Sequence, residues 1–294
     1  MSVETTALAG RRALVTGAAA GLGKAFADAC AAAGAVVSGL DIDPGIEAIA
    51  DDLGDRGGLV GVADLTDADS VRSFVDAAAA RMGGLDIVVN NAGVVVKTAP
   101  VSDPWEKAVA DFDAVVGVNY RGSYLVGRAA IPHLVQAGGG DIVNVTTDHV
   151  HTCGYPVAVD HAAAPDCRWA GTRRPPLGNA AYDLYDSSKW ALKGLTNVWA
   201  RGLAEHGVRV NSFAMGTTDT PMIRAHLQAK GVAPPAGMLA ADVVARLLVE
   251  LLAEGAEGRT GDSVAIWPHH PAELPPLGLD GQLAMRSLAE LGDR

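Results

Sequence analysis

Cysteine is scarce in this chain: 294 residues hold three, Cys30, Cys153 and Cys167. An odd, sparse set builds no disulfide framework and suits a reducing compartment. Basic residues are also short. Lys and Arg total 23 against 34 Asp and Glu, and the formal net charge of −11 argues against nucleic acid or an anionic membrane as a partner. No apolar run approaches the ~20 residues that a membrane-spanning helix needs. Residues 1–10 are polar and lack the charged-then-apolar pattern of a secretory leader. These absences lead to the expectation of a soluble, cytoplasmic protein. Hydrophobic residues make up 49% of the chain, enough to bury a sizeable core. Abundant Gly and Ala reflect a composition bias and carry no functional reading.

Short apolar runs alternate with helix-forming stretches. The pattern predicts strands over residues 12–16, 35–40, 59–63, 87–89, 141–145, 208–213 and 263–267. It predicts helices over 22–33, 67–81, 111–137, 187–205 and 242–254, with Gly34 and Gly207 as stop signals. Such alternation calls for an α/β fold, a mainly parallel sheet covered by helices on both faces. The pattern runs without a linker or repeat, so one domain over 1–294 is expected. Two stretches fall outside it. Residues 148–181 are rich in Pro, Gly and His, and residues 268–294 form a Pro-rich tail. An irregular segment of that length within a compact domain is functional or disordered.

The first turn reads Thr16-Gly17-Ala18-Ala19-Ala20-Gly21-Leu22-Gly23 and lies between a strand and a helix. Glycine there lets the backbone turn sharply and approach a pyrophosphate, and the helix start supplies N–H groups and a positive dipole end. Asp41 ends the second strand, where a carboxylate can accept hydrogen bonds from both ribose hydroxyls of an adenosine. The same charge repels a 2′-phosphate, and no Arg or Lys lies in the glycine turn to offset it. NAD is therefore expected as the cofactor, rather than NADP.

With these motifs the chain resembles the short-chain dehydrogenases/reductases. Thr16-Gly17-x-x-x-Gly21-x-Gly23 matches their glycine signature, and Asn90-Asn91-Ala92-Gly93 their motif after the fourth strand. Asp64 in Ala63-Asp64-Leu65 matches the acid that contacts adenine, and Asn119 the helix asparagine. Tyr185-Asp186-Ser187-Ser188-Lys189 matches the Tyr-x-x-x-Lys pair. The resemblance covers residues 10–267. It implies a doubly wound Rossmann-type three-layer sandwich and a cofactor held by Gly17, Ala20, Gly21, Leu22, Gly23, Asp41, Asp64, Leu65, Asn91, Ala92, Gly93, Tyr185, Lys189, Thr218 and Thr220. It further implies a homo-oligomer, commonly a tetramer, paired through the helix over 111–137 and the one carrying Tyr185.

Tyr185 and Lys189 stand one helical turn apart and share a face. A free phenol has a pKa of about 10, and a nearby ammonium and the positive nicotinamide both favour the phenolate, tuning an acid/base. By resemblance, Lys189 also binds the nicotinamide ribose, and Asn119 and Lys189 extend a proton relay. Thr147 falls where the family carries a serine that hydrogen-bonds the substrate oxygen. It keeps the hydroxyl and narrows the pocket, with Thr146 as the fallback. The catalytic set is thus Asn119, Thr147, Tyr185 and Lys189. The substrate set is Thr147, His149, Tyr155 and Tyr185. The expected reaction interconverts a secondary alcohol and a ketone, with dehydrogenation the working direction. Two departures stand out: Met215-Gly216 replaces the family's Pro-Gly, and Trp267-Pro268-His269-His270 replaces its acidic-glycine ending. The long stretch between Thr147 and Tyr185 is expected to loop out beside the pocket and set substrate choice, the alternative being an oligomer contact or a mobile surface loop. Asp148, His149, His151, Cys153, His161 and Cys167 are metal-ligating types, but their spacing fits no standard zinc pattern, so no metal is expected. A non-catalytic dinucleotide sensor is the rival reading; it has no use for Tyr185, Lys189, Thr147 and Asn119 together.

Overall fold

The computed structural model describes residues 6–49, 53, 57–151, 180–229, 231–234, 237–268 and 272–274. Seven parallel strands form the central sheet: β1 Arg12–Thr16, β2 Val36–Asp41, β3 Val60–Val62, β4 Ile87–Asn90, β5 Gly140–Thr147, β6 Val208–Met215 and β9 Ser263–Ile266. Their order is β3-β2-β1-β4-β5-β6-β9. The order reverses between β1 and β4, and a doubly wound sheet opens its ligand crevice at that switch point, beyond the carboxyl ends of the strands. Two short strands, β7 Thr218–Asp219 and β8 Leu239–Ala240, pair separately.

The strands are buried on both faces, and alternate residues feed two cores. Ala13 and Val15 of β1 join Phe26 and Cys30 of helix α1 (Gly21–Ala32) and Val244 and Leu248 of a late helix, Ala241–Ala253. Leu14, between them, faces Val71 and Val75 of helix α2 (Ala68–Met82), with Val126 and Trp199. Phe26 meets Phe213 of β6 edge to face, with centroids 6.2 Å apart. Asp67 caps α2 by accepting from the N–H groups of Asp69 and Ser70, and Gly83 ends it in the left-handed region at φ 75°.

Several boundaries differ from the sequence pattern. The helix expected over 111–137 begins six residues earlier. It runs as α3 Trp105–Val116, a π-helical turn Gly117–Gly122, then α4 Ser123–Gln136. Pro104 precedes Trp105 and fixes the start, because proline favours a helix N-terminus. The helix expected over 187–205 is α5 Asp183–Gly202, so Tyr185 lies within its first turn. Strands β5 and β6 each extend two residues further, to Thr147 and Met215. A short helix, α6 Pro221–Ala229, follows β7; the late helix is α7. Among the described residues no helix is long and apolar enough to cross a membrane.

Candidate active site

The carboxyl ends of β1, β2, β4, β5 and β6 converge on one edge, and the motif residues meet there. Gly17 and Gly21 take positive φ values of 68° and 58°, which the turn requires. A Cβ on Gly23 would overlap the Gly17 carbonyl oxygen, so only glycine lets α1 start so close to β1. Asn91 locks the turn from β4: its Nδ2 donates to Thr16 O at 2.9 Å, and its backbone N–H donates to Thr16 Oγ1 at 3.0 Å. Thr220 stands across the turn, its Cβ 3.7 Å from the position a Cβ on Gly21 would take. Thr218 donates to Gly216 O, which ties this segment to the end of β6.

Asp41 accepts the Ala19 N–H on one carboxylate oxygen and the Asp43 N–H on the other, both at 3.0 Å. Each oxygen keeps lone-pair capacity for a ribose hydroxyl. Ile42, next in sequence, is 65% exposed, and Val62, paired with Asp41 across the sheet, is 50% exposed. Two exposed apolar side chains flanking a carboxylate suit an adenine ring over a ribose. Asp64 accepts from the backbone and hydroxyl of Thr66, and Leu65 is buried against Gly122 of the π turn. The glycine cradle, the carboxylate and the apolar flank together fit a dinucleotide.

At the catalytic edge, α5 is bonded down onto the sheet. Lys189 Nζ donates to Val145 O of β5 at 2.9 Å. Asn144 Nδ2 donates to Thr196 Oγ1 and its Oδ1 accepts from Asn90, a buried chain from β4 through β5 to α5. Asn119 is fully buried on the π turn. Its Nδ2 donates to Val94 O and Ser188 Oγ, both at 3.0 Å, while its Oδ1 accepts the Val94 N–H at 2.7 Å. The side chain thus positions the loop after β4 against α5. Gly93 lies between Asn119 and Lys189: a Cβ there would sit 3.2 Å from Asn119 Oδ1 and 3.3 Å from Lys189 Nζ. π turns often mark functional sites, and this one turns Asn119 into the core.

Tyr185 lies beside Thr147 and 5.7 Å, measured to its ring centroid, from Lys189 Nζ. The expectation that the Lys189 ammonium depresses the phenol does not hold for the protein's own groups. Burial pushes the Tyr185 phenol up, and the charges of Asp148 and Asp186 push it further, against the Thr147 hydroxyl alone. Lys189 itself is pulled down by burial to about 8. A lowered amine pKa means the neutral form appears above about pH 8. The ε-carbon NMR resonance of Lys189 should therefore titrate near pH 8, and a midpoint at the ordinary lysine value of about 10.4 would contradict its burial.

Sequence reasoning missed one feature here. His149 Nδ1 lies 2.7 Å from Asp186 Oδ1, and the charge of Asp148 also acts on the ring. Burial opposes protonation of His149, but the Asp186 hydrogen bond and the two carboxylates outweigh it and the pKa rises. Asp186 occupies the first x of the Tyr-x-x-x-Lys motif, a position the motif leaves open. His149 also donates its backbone N–H to Thr147 Oγ1 at 3.4 Å. Tyr155 lies outside the described residues, as do most of the expected insertion, nearly all of the C-terminal tail, Cys153, His161 and Cys167. His151 faces away: it is buried against Trp267, with Nε2 at 3.2 Å from Ser263 Oγ. Thr146, the fallback for Thr147, is buried and its hydroxyl has no hydrogen-bond partner among the described residues.

Comparison with known proteins identifies the family. The family model for short chain dehydrogenases matches residues 11–163 and 176–231. The chain is 37% identical over 210 residues to a D-threitol dehydrogenase of Mycolicibacterium smegmatis, covering 70% of each chain. It is 31% identical to an uncharacterised NAD-dependent oxidoreductase of Mycobacterium tuberculosis, covering 90% of this chain and 98% of the other. A solved short-chain type dehydrogenase/reductase from Mycobacterium marinum superposes with a TM-score of 0.71 at 28% identity, covering 92% and 99%. The chain belongs to the short-chain dehydrogenase/reductase family, and it is an alcohol dehydrogenase/reductase of that family.

Proposed function

We propose that the protein interconverts a secondary alcohol and a ketone with NAD, with Tyr185 as the acid/base. The observation that carries this reading is the meeting of the Tyr185 phenol, the Thr147 hydroxyl and buried Lys189 at the end of β5. When bound, the nicotinamide supplies or accepts the hydride. Tyr185 takes the carbinol proton in oxidation and returns it in reduction. Thr147 meets the same oxygen and fixes its place between the two hydroxyls. Lys189, held by Val145, keeps a cationic group under the phenol and beside the ribose site. Asn119 holds the loop after β4 against α5. The test is a panel of secondary alcohols, starting with threitol, which the name of the Mycolicibacterium smegmatis relative gives, offered with NAD and with NADP. Reduced cofactor is read by absorbance. No turnover with any alcohol despite tight NAD binding would favour a sensor.

Support for NAD over NADP comes from Asp41, whose neighbours Ile42 and Asp43 offer a 2′-phosphate no cation. NAD should be turned over faster than NADP at equal concentration. Asp41→Ala should narrow that preference by roughly tenfold, the value of a charge-assisted hydrogen bond. Faster turnover of NADP by the wild type would show Asp41 to be misread.

We read the chain as one catalytic domain acting in the cytoplasm, and as a homotetramer. Support for assembly lies on α3, α4 and α5, which expose Trp105, Phe112, Tyr124, Trp190 and Val198. Large apolar side chains repeated along helices mark an interface, and closed symmetric assemblies are the usual outcome. Light scattering should give about four times the 30.0 kDa of the chain. A monomer mass would refute this.

A further inference from the structure

A hydroxyl group has one proton to give. Thr147 Oγ1 gives it to Asp148 Oδ1 over 3.1 Å. The same oxygen accepts the His149 N–H at 3.4 Å. Tyr185 lies within reach of the same hydroxyl and competes with Asp148 for its proton; with that proton on Asp148, one lone pair remains on the oxygen. Thr147 therefore presents the substrate position with an acceptor. An alcohol oxygen carries a proton and can donate to an acceptor, whereas a ketone oxygen can only accept.

We propose that Asp148 is a positioning residue that sets whether Thr147 recognises the alcohol or the ketone. Ionised, Asp148 holds the Thr147 proton and leaves a lone pair for the alcohol. Protonated, it donates to Thr147 and frees that proton for the ketone oxygen. The inference rests on the reading of Thr147 and Tyr185 as the groups that meet the substrate oxygen. It concerns the binding of the two reaction partners, not the hydride step.

The surroundings of Asp148 make this switch accessible. Burial pushes its carboxyl up, the His149 charge and the Thr147 hydrogen bond pull it down, Asp186 pushes it up, and the net shift is upward. Among the described residues the remaining ionisable partner is Tyr185 of α5, whose phenol the Asp148 charge pushes up. Just after β6 comes Gly216, where a Cβ would lie 3.1 Å from Asp148 Oδ2, and the same Cβ would run into Pro268. Met215-Gly216 in place of the family's Pro-Gly thus stands against this carboxylate.

The test uses the whole enzyme with pairs that cannot react: cyclohexanone with NAD⁺ and cyclohexanol with NADH. Dissociation constants are measured by calorimetry across the pH range in which the protein stays folded. As Asp148 ionises, ketone binding should weaken by roughly 3- to 10-fold and alcohol binding should tighten by a similar factor, the value of one neutral hydrogen bond. Asp148→Asn removes the titration, so both affinities should lose these opposed slopes. Equal slopes in the wild type and Asp148→Asn overturn the proposal. A second measurement needs neither ligand nor a change at Asp148. The Asp148 carboxyl ¹³C resonance is titrated in the wild type and in Thr147→Val. Loss of the Thr147 donor should move the midpoint to higher pH, and an unmoved midpoint overturns the proposal. Activity retained by Tyr185→Phe counts against the oxidoreduction reading instead, leaving the Asp148–Thr147 link to be read by NMR.

Discussion

Replacing Tyr185 by phenylalanine should lower turnover by about 10²- to 10⁴-fold, the span that one positioned acid/base contributes. The change deletes a single oxygen. The ring stays on α5 beside Lys189, whose bond to Val145 O does not involve the phenol. Cofactor affinity should therefore stay within a few-fold, because the glycine turn and Asp41 are untouched. Lys189→Ala should behave differently. It removes a buried group that, in the proposed reading, both supports the phenol and binds the nicotinamide ribose, so kcat and cofactor affinity should fall together. Single-turnover and equilibrium binding measurements on the two variants separate these cases. Retention of more than about a tenth of the wild-type rate by Tyr185→Phe would remove Tyr185 from the mechanism.

The pairing of Tyr185 with Lys189, and the turn from Thr16 to Gly23, were legible in the sequence because each is local. A four-residue spacing on a helix places two side chains on one face, and a glycine cluster between strand and helix has few other uses. The seven-stranded parallel sheet was legible for a similar reason: apolar runs separated by helical stretches admit few other layerings. The π turn at Gly117–Gly122 was not legible. One extra residue in a helical turn leaves the apolar period almost unchanged, yet it decides where Asn119 points. The early start of α5 at Asp183 was hidden because Ala180–Tyr182 forms a 3₁₀ turn feeding directly into it. The His149–Asp186 pair was hidden for a deeper reason. Its partners are 37 positions apart, and only the docking of α5 onto β5 brings them to 2.7 Å. A hydrogen bond of that kind has no period to read. The same holds for the direction of the Thr147 proton, which depends on a carboxylate one residue away and on the glycine opposite it.

The second large effect lies at the other edge of the sheet. Arg209→Met should cost about 3–5 kcal/mol of stability, the range for breaking a buried ion pair from one side. Asp141, second residue of β5, is 4% exposed and is held by Arg11 and Arg209, each at 2.6 Å. Arg209 is itself buried, and it also lies 3.6 Å from Glu254. Even with both arginines, burial outweighs their attraction and the Asp141 carboxyl titrates above its ordinary value. Without Arg209 the folded-state pKa rises further. A folded pKa above the unfolded one of about 3.9 means that folding takes up a proton, so the penalty is absent at low pH and grows as pH rises through the folded value. The deficit of Arg209→Met should thus be largest near neutrality and shrink towards pH 4. Adding Asp141→Asn should recover part of it at neutral pH, since the amide carries no charge to strand. For a chain of this size the neutral-pH loss amounts to roughly 6–20 °C in Tm. Asp141 and Arg209 sit at the starts of β5 and β6, whereas Thr147 ends β5 and Gly216 follows the end of β6. The variant should therefore keep the wild-type kcat/KM below its unfolding temperature. A Tm within 2 °C of the wild type, about the effect of 1 kcal/mol or less, would show that the pair is solvated in solution and that the buried network does not hold the strand starts together.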